Sequence, residues 1–200
     1  AGAVSTSLFA TLAGRLAMAK PVRAVPGTRT RVGRIYLGNT HPGWPSHTVD
    51  LPADVRAFEE EMAKLGSQLD DYEFVDAGLV RSAEELAQAK EKFREVDGIL
   101  LVQLTMGVGG QLQSLFELEK PIVIFALPYT GHEWHTIAGW QRQGKPVEVY
   151  PTSRHEDVLI ALRPFRAIHR LREARILHVN PLVERRLGEA MDRRLGSLRH

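Results

Sequence analysis

Two hundred residues, 44% of them hydrophobic and 25% charged, are enough for one globular domain with a sizeable core, and they exclude collagen-like and coiled-coil chains. The absence of cysteine excludes disulfides, zinc–thiolate sites, iron–sulfur clusters and thiol nucleophiles. The net charge of +2 combines an acidic body, with 13 Lys and Arg against 20 Asp and Glu in residues 28–162, and a basic end, with ten Arg against four acids in residues 163–200. We expect those arginines to lie on solvated helix faces, and because the body is acidic we predict no nucleic-acid partner.

The first nineteen residues predict the remnant of a secretory signal peptide. They are small and apolar, contain no acidic residue and end in the A-x-A pattern of Ala17, Met18 and Ala19. A surface helix is the alternative, since Arg15 interrupts the apolar run and a basic start is absent; the stretch is too short for a membrane span. Residues 20–30, with two prolines and a glycine, predict a linker. The protein is periplasmic or secreted if residues 1–19 are a signal remnant, and otherwise cytoplasmic.

Residues 31–179 predict an α/β domain, because short apolar runs alternate with longer stretches of helical period. The predicted strands are 32–37, 73–76, 97–103, 121–127, 146–150 and 175–179, and the predicted helices are 52–66, 82–93, 109–118 and 155–173. Two helix starts are marked locally, by Pro52 and by the Ser82 to Glu85 spacing of a capping box. The nearly continuous apolar runs at 97–103 and 121–127 predict the centre of the sheet.

This alternation indicates an open, doubly wound, mostly parallel sheet with helices on both faces, of Rossmann-like or flavodoxin-like type. A further helix is predicted over residues 180–200, where the given sequence stops without a following strand. We expect this helix to continue into a downstream domain, so that the chain is a fragment of a longer protein.

Ligands of doubly wound sheets bind at the carboxyl ends of the strands, so the loops after the first, third and fourth strands are the candidate sites. Residues 107–110 predict either a phosphate-binding turn or a plain turn between strand and helix. The aromatic side chains at Trp44, Tyr129, Trp134 and Trp140 predict either stacking on a sugar ring or a seal at the sheet rim. The loop histidines are not arranged in an H-E-x-x-H motif, and no G-x-S-x-G elbow surrounds Ser46, so neither a metal site nor a serine hydrolase is favoured.

Three segments of the chain resemble the N-terminal part of the L-fucose/L-arabinose isomerase family. They are the first strand running into GNTHPG, the segment DGILLVQLTMGVGGQLQSLFELEKPIVIFALPYTGHEW and the later RILHV strand, which together span residues 31–179. The resemblance implies an aldose–ketose isomerisation helped by a divalent metal, usually manganese, in a multidomain homo-oligomer. The family's metal ligands and catalytic carboxylates lie downstream, so no catalytic residue, metal ligand or cofactor is assigned to this chain.

The resemblance also implies that the strand-end loops cover the sugar site of a neighbouring subunit. By position, the candidate sugar-binding residues are Asn39, Thr40 and His41 after the first strand, Gln103 and Thr105 after the third, and Tyr129 and His132 after the fourth. Asn, Gln and Thr suit sugar hydroxyls because each side chain donates and accepts, and His exchanges protons near neutral pH.

The leading hypothesis is therefore an N-terminal fragment of a carbohydrate isomerase-like protein, which is an enzyme if the downstream part supplies the metal site. The alternative is a non-catalytic sugar- or small-ligand-binding module of the same fold, since sheets of this type serve many functions. An interaction domain is a third class, which an exposed apolar patch would indicate.

Overall fold

One parallel sheet organises the part of the chain that the structure, a computed structural model, describes: residues 29–42, 48–130 and 134–174. Its strands, in chain order, are β1 (Thr30–Leu37), β2 (Tyr72–Val80), β3 (Gly98–Gln103), β4 (Ile122–Ala126) and β5 (Val147–Pro151). Their order across the sheet is β2-β1-β3-β4-β5, and every neighbouring pair is parallel. Every residue of β3 and β4 is buried, which confirms the predicted centre of the sheet.

Helices cover both faces of the sheet. They are α1 (Leu51–Lys64), α2 (Ala83–Lys92), α3 (Gly109–Ser114), α4 (Trp134–Arg142), α5 (Val158–Ala161) and α6 (Arg163–Glu173), with 3-10 turns at Gly66–Leu69, Leu115–Leu118 and His155–Asp157. On the first face, Phe58 of α1 and Phe165 of α6 pack with the apolar side chains of β1, β3 and β4. On the second face, Leu112 of α3, Ile137 of α4 and Phe93, which directly follows α2, pack against the same strands. The chain is therefore an open, doubly wound α/β sheet, as its sequence predicts.

The helix starts form as local sequence signals predict. Asp50 accepts a hydrogen bond from the backbone of Ala53 at 3.0 Å, and Pro52 lies in the first turn of α1. At the start of α2, the Ser82 hydroxyl accepts from the Glu85 N–H at 3.1 Å, while the Glu85 carboxylate accepts from the backbone of Ser82 and of Arg81. These backbone donors, that of Arg81 first, lower the pKa of Glu85. The capping box is confirmed.

Two glycines in the sheet allow aromatic rings to lie directly on it. A Cβ on Gly33 would lie 2.7 Å from the ring of Phe93 on the second face, and a Cβ on Gly98 would lie 2.2 Å from the ring of Phe165 on the first. Both distances are far shorter than ordinary contact. A side chain at either position would therefore displace the helix that carries the ring.

A polar cluster holds α6 to the edge of the sheet where the strands begin. Asp97, just before β3, accepts from the backbone of Arg31 at 2.9 Å, and its carboxylate also lies 2.9 Å from Nδ1 of His169. Arg166 forms an ion pair of 2.9 Å with Asp71, which precedes β2. We assign these contacts a structural role, because they lie where the strands begin, at the edge of the sheet opposite to the carboxyl ends of the strands.

The structure differs from the sequence prediction in its helices. The predicted helix at 155–173 is interrupted between α5 and α6, where Pro164 has no N–H to continue the helical hydrogen bonds. The predicted helix at 109–118 is an α-helix only as far as Ser114 and continues as a 3-10 turn over Leu115–Leu118. Helix α4 is not among those predicted from the sequence.

Some predicted segments cannot be compared with the structure. The signal remnant and most of the linker, the strand at 175–179 and the helix at 180–200 all lie outside the described residues. None of the helices in the described ranges has the length and apolar character needed to cross a membrane.

Candidate functional site

The candidate site lies where the strands end, an edge of the sheet that we call the carboxyl edge: residues 38–42 after β1, 104–108 after β3, 127–130 after β4 and 152–157 after β5. From β1 the chain crosses the first face through α1 to reach β2, and from β2 it returns over the second face through α2 to reach β3. The loop after β3 leads into α3, which also lies on the second face. The loops after β1 and β3 therefore depart to opposite faces of the sheet. A crevice at such a switch point is the usual ligand site of this sheet type.

Hydrogen bonds join the loops after β1 and β3. The backbone N–H of Asn39 donates to the Thr105 hydroxyl at 2.6 Å, and the backbone of Leu104 donates to the Leu37 carbonyl at 2.8 Å. The loops also pack closely, because a Cβ on Gly38 would lie 3.3 Å from the Cβ of Leu104. The two loops are therefore joined by hydrogen bonds and by close packing.

The side-chain amide of Gln103, at the end of β3, extends this network to the loop after β4. Its Nε2 donates to the Thr105 carbonyl at 3.1 Å and to the Thr130 carbonyl at 3.0 Å. Gln103 is 1% exposed and Thr105 is 2% exposed. A buried amide that bonds two backbone carbonyls fixes the geometry of both, because a buried polar group stays without its hydrogen bonds only at a high cost.

The loop after β4 is a tight turn with a strained centre. The Thr130 N–H donates to the Leu127 carbonyl at 3.2 Å, and the Thr130 hydroxyl donates to the same carbonyl at 2.7 Å. Pro128 and Tyr129 occupy the two central positions, and Tyr129 has φ 66°. Proline followed by a positive φ is the pattern of a type II turn, whose second central position favours glycine. A non-glycine residue in this conformation costs about 1–2 kcal/mol.

The structure separates the predicted sugar-binding residues into an exposed and a buried group. Asn39, Thr40, His41 and Tyr129 are exposed at the carboxyl edge, whereas Gln103 and Thr105 are buried beneath them. The Asn39 Oδ1 accepts from the backbone of His41 at 3.0 Å, which fixes the turn between them. His132 lies outside the described residues. We call the four exposed residues the rim and the hydrogen bonds of Gln103 and Thr105 the latch.

The aromatic residues divide in the same way. Trp140 is 8% exposed and packs edge-on against Phe116, with ring centroids 5.1 Å apart, so it belongs to the core. Tyr129 and Trp134 are 70% and 50% exposed. Trp44 lies outside the described residues.

Sequence reasoning assigned nothing to the loop after β5, although its position at a strand end is a sufficient signal. There the Thr152 hydroxyl donates to the Asp157 carboxylate at 2.5 Å, and the Arg154 guanidinium forms an ion pair with the same carboxylate. The hydrogen bonds from Arg154 and Thr152 lower the pKa of Asp157. Since Asp157 engages it, the positive charge of Arg154 is locally balanced.

The turn at residues 107–110 approaches the rim at Gly107. Gly107 has φ 82°, and a Cβ there would lie 3.7 Å from Nδ2 of Asn39. The turn therefore places the loop after β3 beside the rim. The α3 helix that follows has only six residues.

The described residues do not by themselves fit a manganese site. Manganese prefers carboxylate, carbonyl and water oxygens, joined by imidazole in protein sites. Within the described ranges, no group of three or more His, Asp or Glu side chains is placed to hold a metal ion. The chemistry that the rim offers is hydrogen bonding to neutral polar groups and contact with an aromatic ring.

No protein-family model matches the chain, and a search of curated proteins finds no significant match. The observations that bear on function are therefore the rim and the latch. That geometry combines exposed, uncharged polar side chains with loops held by buried hydrogen bonds.

Proposed function

We propose that this chain is the N-terminal domain of a carbohydrate isomerase-like protein and that its carboxyl edge binds a sugar. The observation that carries the proposal is the rim: Asn39, Thr40, His41 and Tyr129 are exposed at the ends of two strands on either side of β3, above the buried latch. Loops that are already fixed lose little conformational entropy when a ligand binds.

The chemistry of the rim favours a neutral, polyhydroxylated ligand. Its side chains supply an amide, two hydroxyls and an imidazole, which donate and accept hydrogen bonds as sugar hydroxyls do. None of the four carries a carboxylate or a permanent positive charge, and Arg154 nearby is engaged by Asp157. An anionic substrate would find no dedicated counter-charge among these groups.

The proposal gives this chain the task of binding and covering the sugar, and it assigns no step of the isomerisation to the described residues. It places the metal ligands and the catalytic carboxylates in downstream sequence, in an assembly of several identical subunits. The resemblance of residues 31–179 to the L-fucose/L-arabinose isomerase family supports this division of tasks.

A titration of the ¹⁵N-labelled chain with a panel of pentoses and 6-deoxyhexoses tests the binding. We expect saturable amide shifts in residues 38–41, 104–107 and 127–130 with at least one sugar. The Asn39→Ala variant should bind that sugar about 2–12-fold more weakly, the equivalent of one lost hydrogen bond. Gln68→Ala is the matched control, since Gln68 is exposed in the 3-10 turn before β2 and should leave the affinity unchanged.

Shifts that do not saturate, or that map to the edge where the strands begin, would refute a sugar site at the carboxyl edge. Assaying a longer protein that includes downstream sequence for manganese-dependent aldose–ketose interconversion then tests the enzyme. Turnover would support an isomerase. Sugar binding without turnover would favour the non-catalytic binding module in its place.

A further inference from the structure

A groove on the second face of the sheet lies apart from the rim. It runs between α4 and the segment formed by α3 and the 3-10 turn that follows it, and its volume is about 440 Å³. This volume falls in the range of small-molecule sites. The half-buried Phe116 and the buried Trp140 form its floor, and the exposed Gln113, Gln143 and Lys145 lie around them. We call these residues the second-face groove.

Trp140 brings an indole N–H donor to this groove. Only 8% of the residue is exposed, and its ring packs edge-on against Phe116. The indole N–H bonds to no other residue in the described ranges, yet it is not sealed from the surface. Since Trp140 lines the groove, this donor opens on it. A largely buried indole usually finds a hydrogen-bond partner for its N–H, so the donor marks a place for an acceptor atom of a ligand.

Lys145 supplies a positive charge beside the aromatic floor. Its ammonium lies 5.7 Å from the centre of the Phe116 ring, and no acidic side chain of the described residues forms an ion pair with it. Glu117, which also lines the groove, is engaged by Lys90 at 2.5 Å. The described lining therefore carries a positive charge without a counter-charge, and such a charge attracts an anion.

The backbone after α4 holds two of the groove residues in place. The Trp140 carbonyl accepts hydrogen bonds from the N–H groups of Gln143 and Lys145, both at 3.0 Å. Gly144 between them has φ 75°, a conformation that favours glycine. The side-chain amides of Gln113 and Gln143 bond to no other residue of the described part of the chain. Both amides are therefore available to donate to a ligand and to accept from it.

We propose that the second-face groove binds a small carboxylate that carries several hydroxyl groups, as a sugar acid does. The carboxylate pairs with Lys145, and a hydroxyl oxygen accepts the Trp140 indole N–H. Further hydroxyls bond to the amides of Gln113 and Gln143, which donate and accept as hydroxyls do. This site is independent of the proposed function, because the rim offers an anion no counter-charge.

Two probes that differ only in the carboxylate test this site. They are D-gluconate and D-glucitol, in which a CH₂OH group replaces the carboxylate. The ¹⁵N-labelled chain is titrated with each probe, and the indole N–H resonance of Trp140, assigned by NOEs within the residue, reports on the groove directly. We expect gluconate to cause saturable shifts of this resonance and of the amides of residues 113–117 and 143–145. Glucitol should bind at least about tenfold more weakly, because a hydrogen bond to a charged group contributes more than one between neutral groups.

Variants at exposed positions test the groove without disturbing the core. Lys145→Gln should remove the preference, so that gluconate binds as weakly as glucitol. Lys64→Gln is the matched control, because Lys64 is exposed on α1, on the first face, and should leave both affinities unchanged. Gln143→Ala should weaken the binding of both probes about 2–12-fold, the equivalent of one lost hydrogen bond.

The site would be overturned by a wild type that shows no saturable shifts with gluconate, or that binds gluconate and glucitol equally well. It would also be overturned if Lys145→Gln kept the preference for gluconate. Gluconate shifts confined to residues 38–41 and 127–130 would instead place the anion at the rim. Self-association through the groove, seen as groove shifts that depend on protein concentration and confirmed by sedimentation velocity, would assign the surface to a contact between copies and exclude the ligand site.

Discussion

Replacing Gln103 with Met tests whether the latch holds the carboxyl edge together. Methionine has a similar length and fills the same buried space, so the packing of β3 is kept while both N–H donors are lost. The carbonyls of Thr105 and Thr130, bonded at 3.1 and 3.0 Å, then have no amide partner in buried residues.

The expected loss of stability follows from these two bonds. Leaving a buried acceptor without its hydrogen bond costs about 1–3 kcal/mol, and the apolar gain from burying methionine offsets a part of the sum. We therefore expect Gln103→Met to lower the free energy of unfolding by about 2–4 kcal/mol. Urea unfolding followed by far-UV circular dichroism measures this difference.

The matched control is Gln113→Met, which makes the same chemical change at an exposed position of α3 and should stay within about 0.5 kcal/mol of the wild type. Amide hydrogen exchange adds a local measurement, since the N–H of Asn39 and of Thr130 should lose protection in Gln103→Met. If Gln103→Met were as stable as Gln113→Met, the latch would not hold the loops and the reasoning would be refuted.

Three further predictions concern the core, a helix cap and the rim. Gly98→Ala should destabilise the domain by about 1–3 kcal/mol, because the new Cβ would lie 2.2 Å from the Phe165 ring, and adding Phe165→Leu should recover part of that loss in urea unfolding. Because the pKa of Glu85 is lowered in the folded chain, its contribution to stability should be complete at pH 7 and disappear as the pH falls below about 4. Thermal unfolding at pH 7 and at pH 3 measures the difference in stability between the wild type and Glu85→Gln. This difference should be smaller at pH 3, and a difference independent of pH would contradict the prediction. His41→Ala should weaken sugar binding with a change in Tm within about 2 °C, because His41 is exposed; a large drop in Tm would instead make it a packing residue.

Local signals in the sequence predicted the elements that local interactions form. The capping box of Ser82 and Glu85 and the proline at the start of α1 involve residues no more than four apart, so their partners can be read from spacing alone. The apolar runs of β3 and β4 predicted central strands because only strands covered on both faces carry such runs. The doubly wound fold followed from the alternation of these elements.

Partners distant in sequence decided the rest of the fold. The second strand, predicted at 73–76, extends to Tyr72–Val80 because it pairs along the whole of β1, with an irregular register between Arg34 and Ile35. No spacing rule shows that Gly98 must be glycine, since the reason is the ring of Phe165, 67 positions away.

Composition and periodicity were enough to predict the fold class, the centre of the sheet and the loops in which a ligand site is expected. They could not show that Gln103 and Thr105 lie buried below the rim while Asn39 and Tyr129 are exposed on it. A polar residue at a strand end satisfies its hydrogen bonds either with solvent or with backbone groups of neighbouring loops, and the strand order decides which loops are its neighbours. The strain at Tyr129 has the same origin, because hydrogen bonds from β3 and from the turn itself, rather than its own preference, hold its backbone.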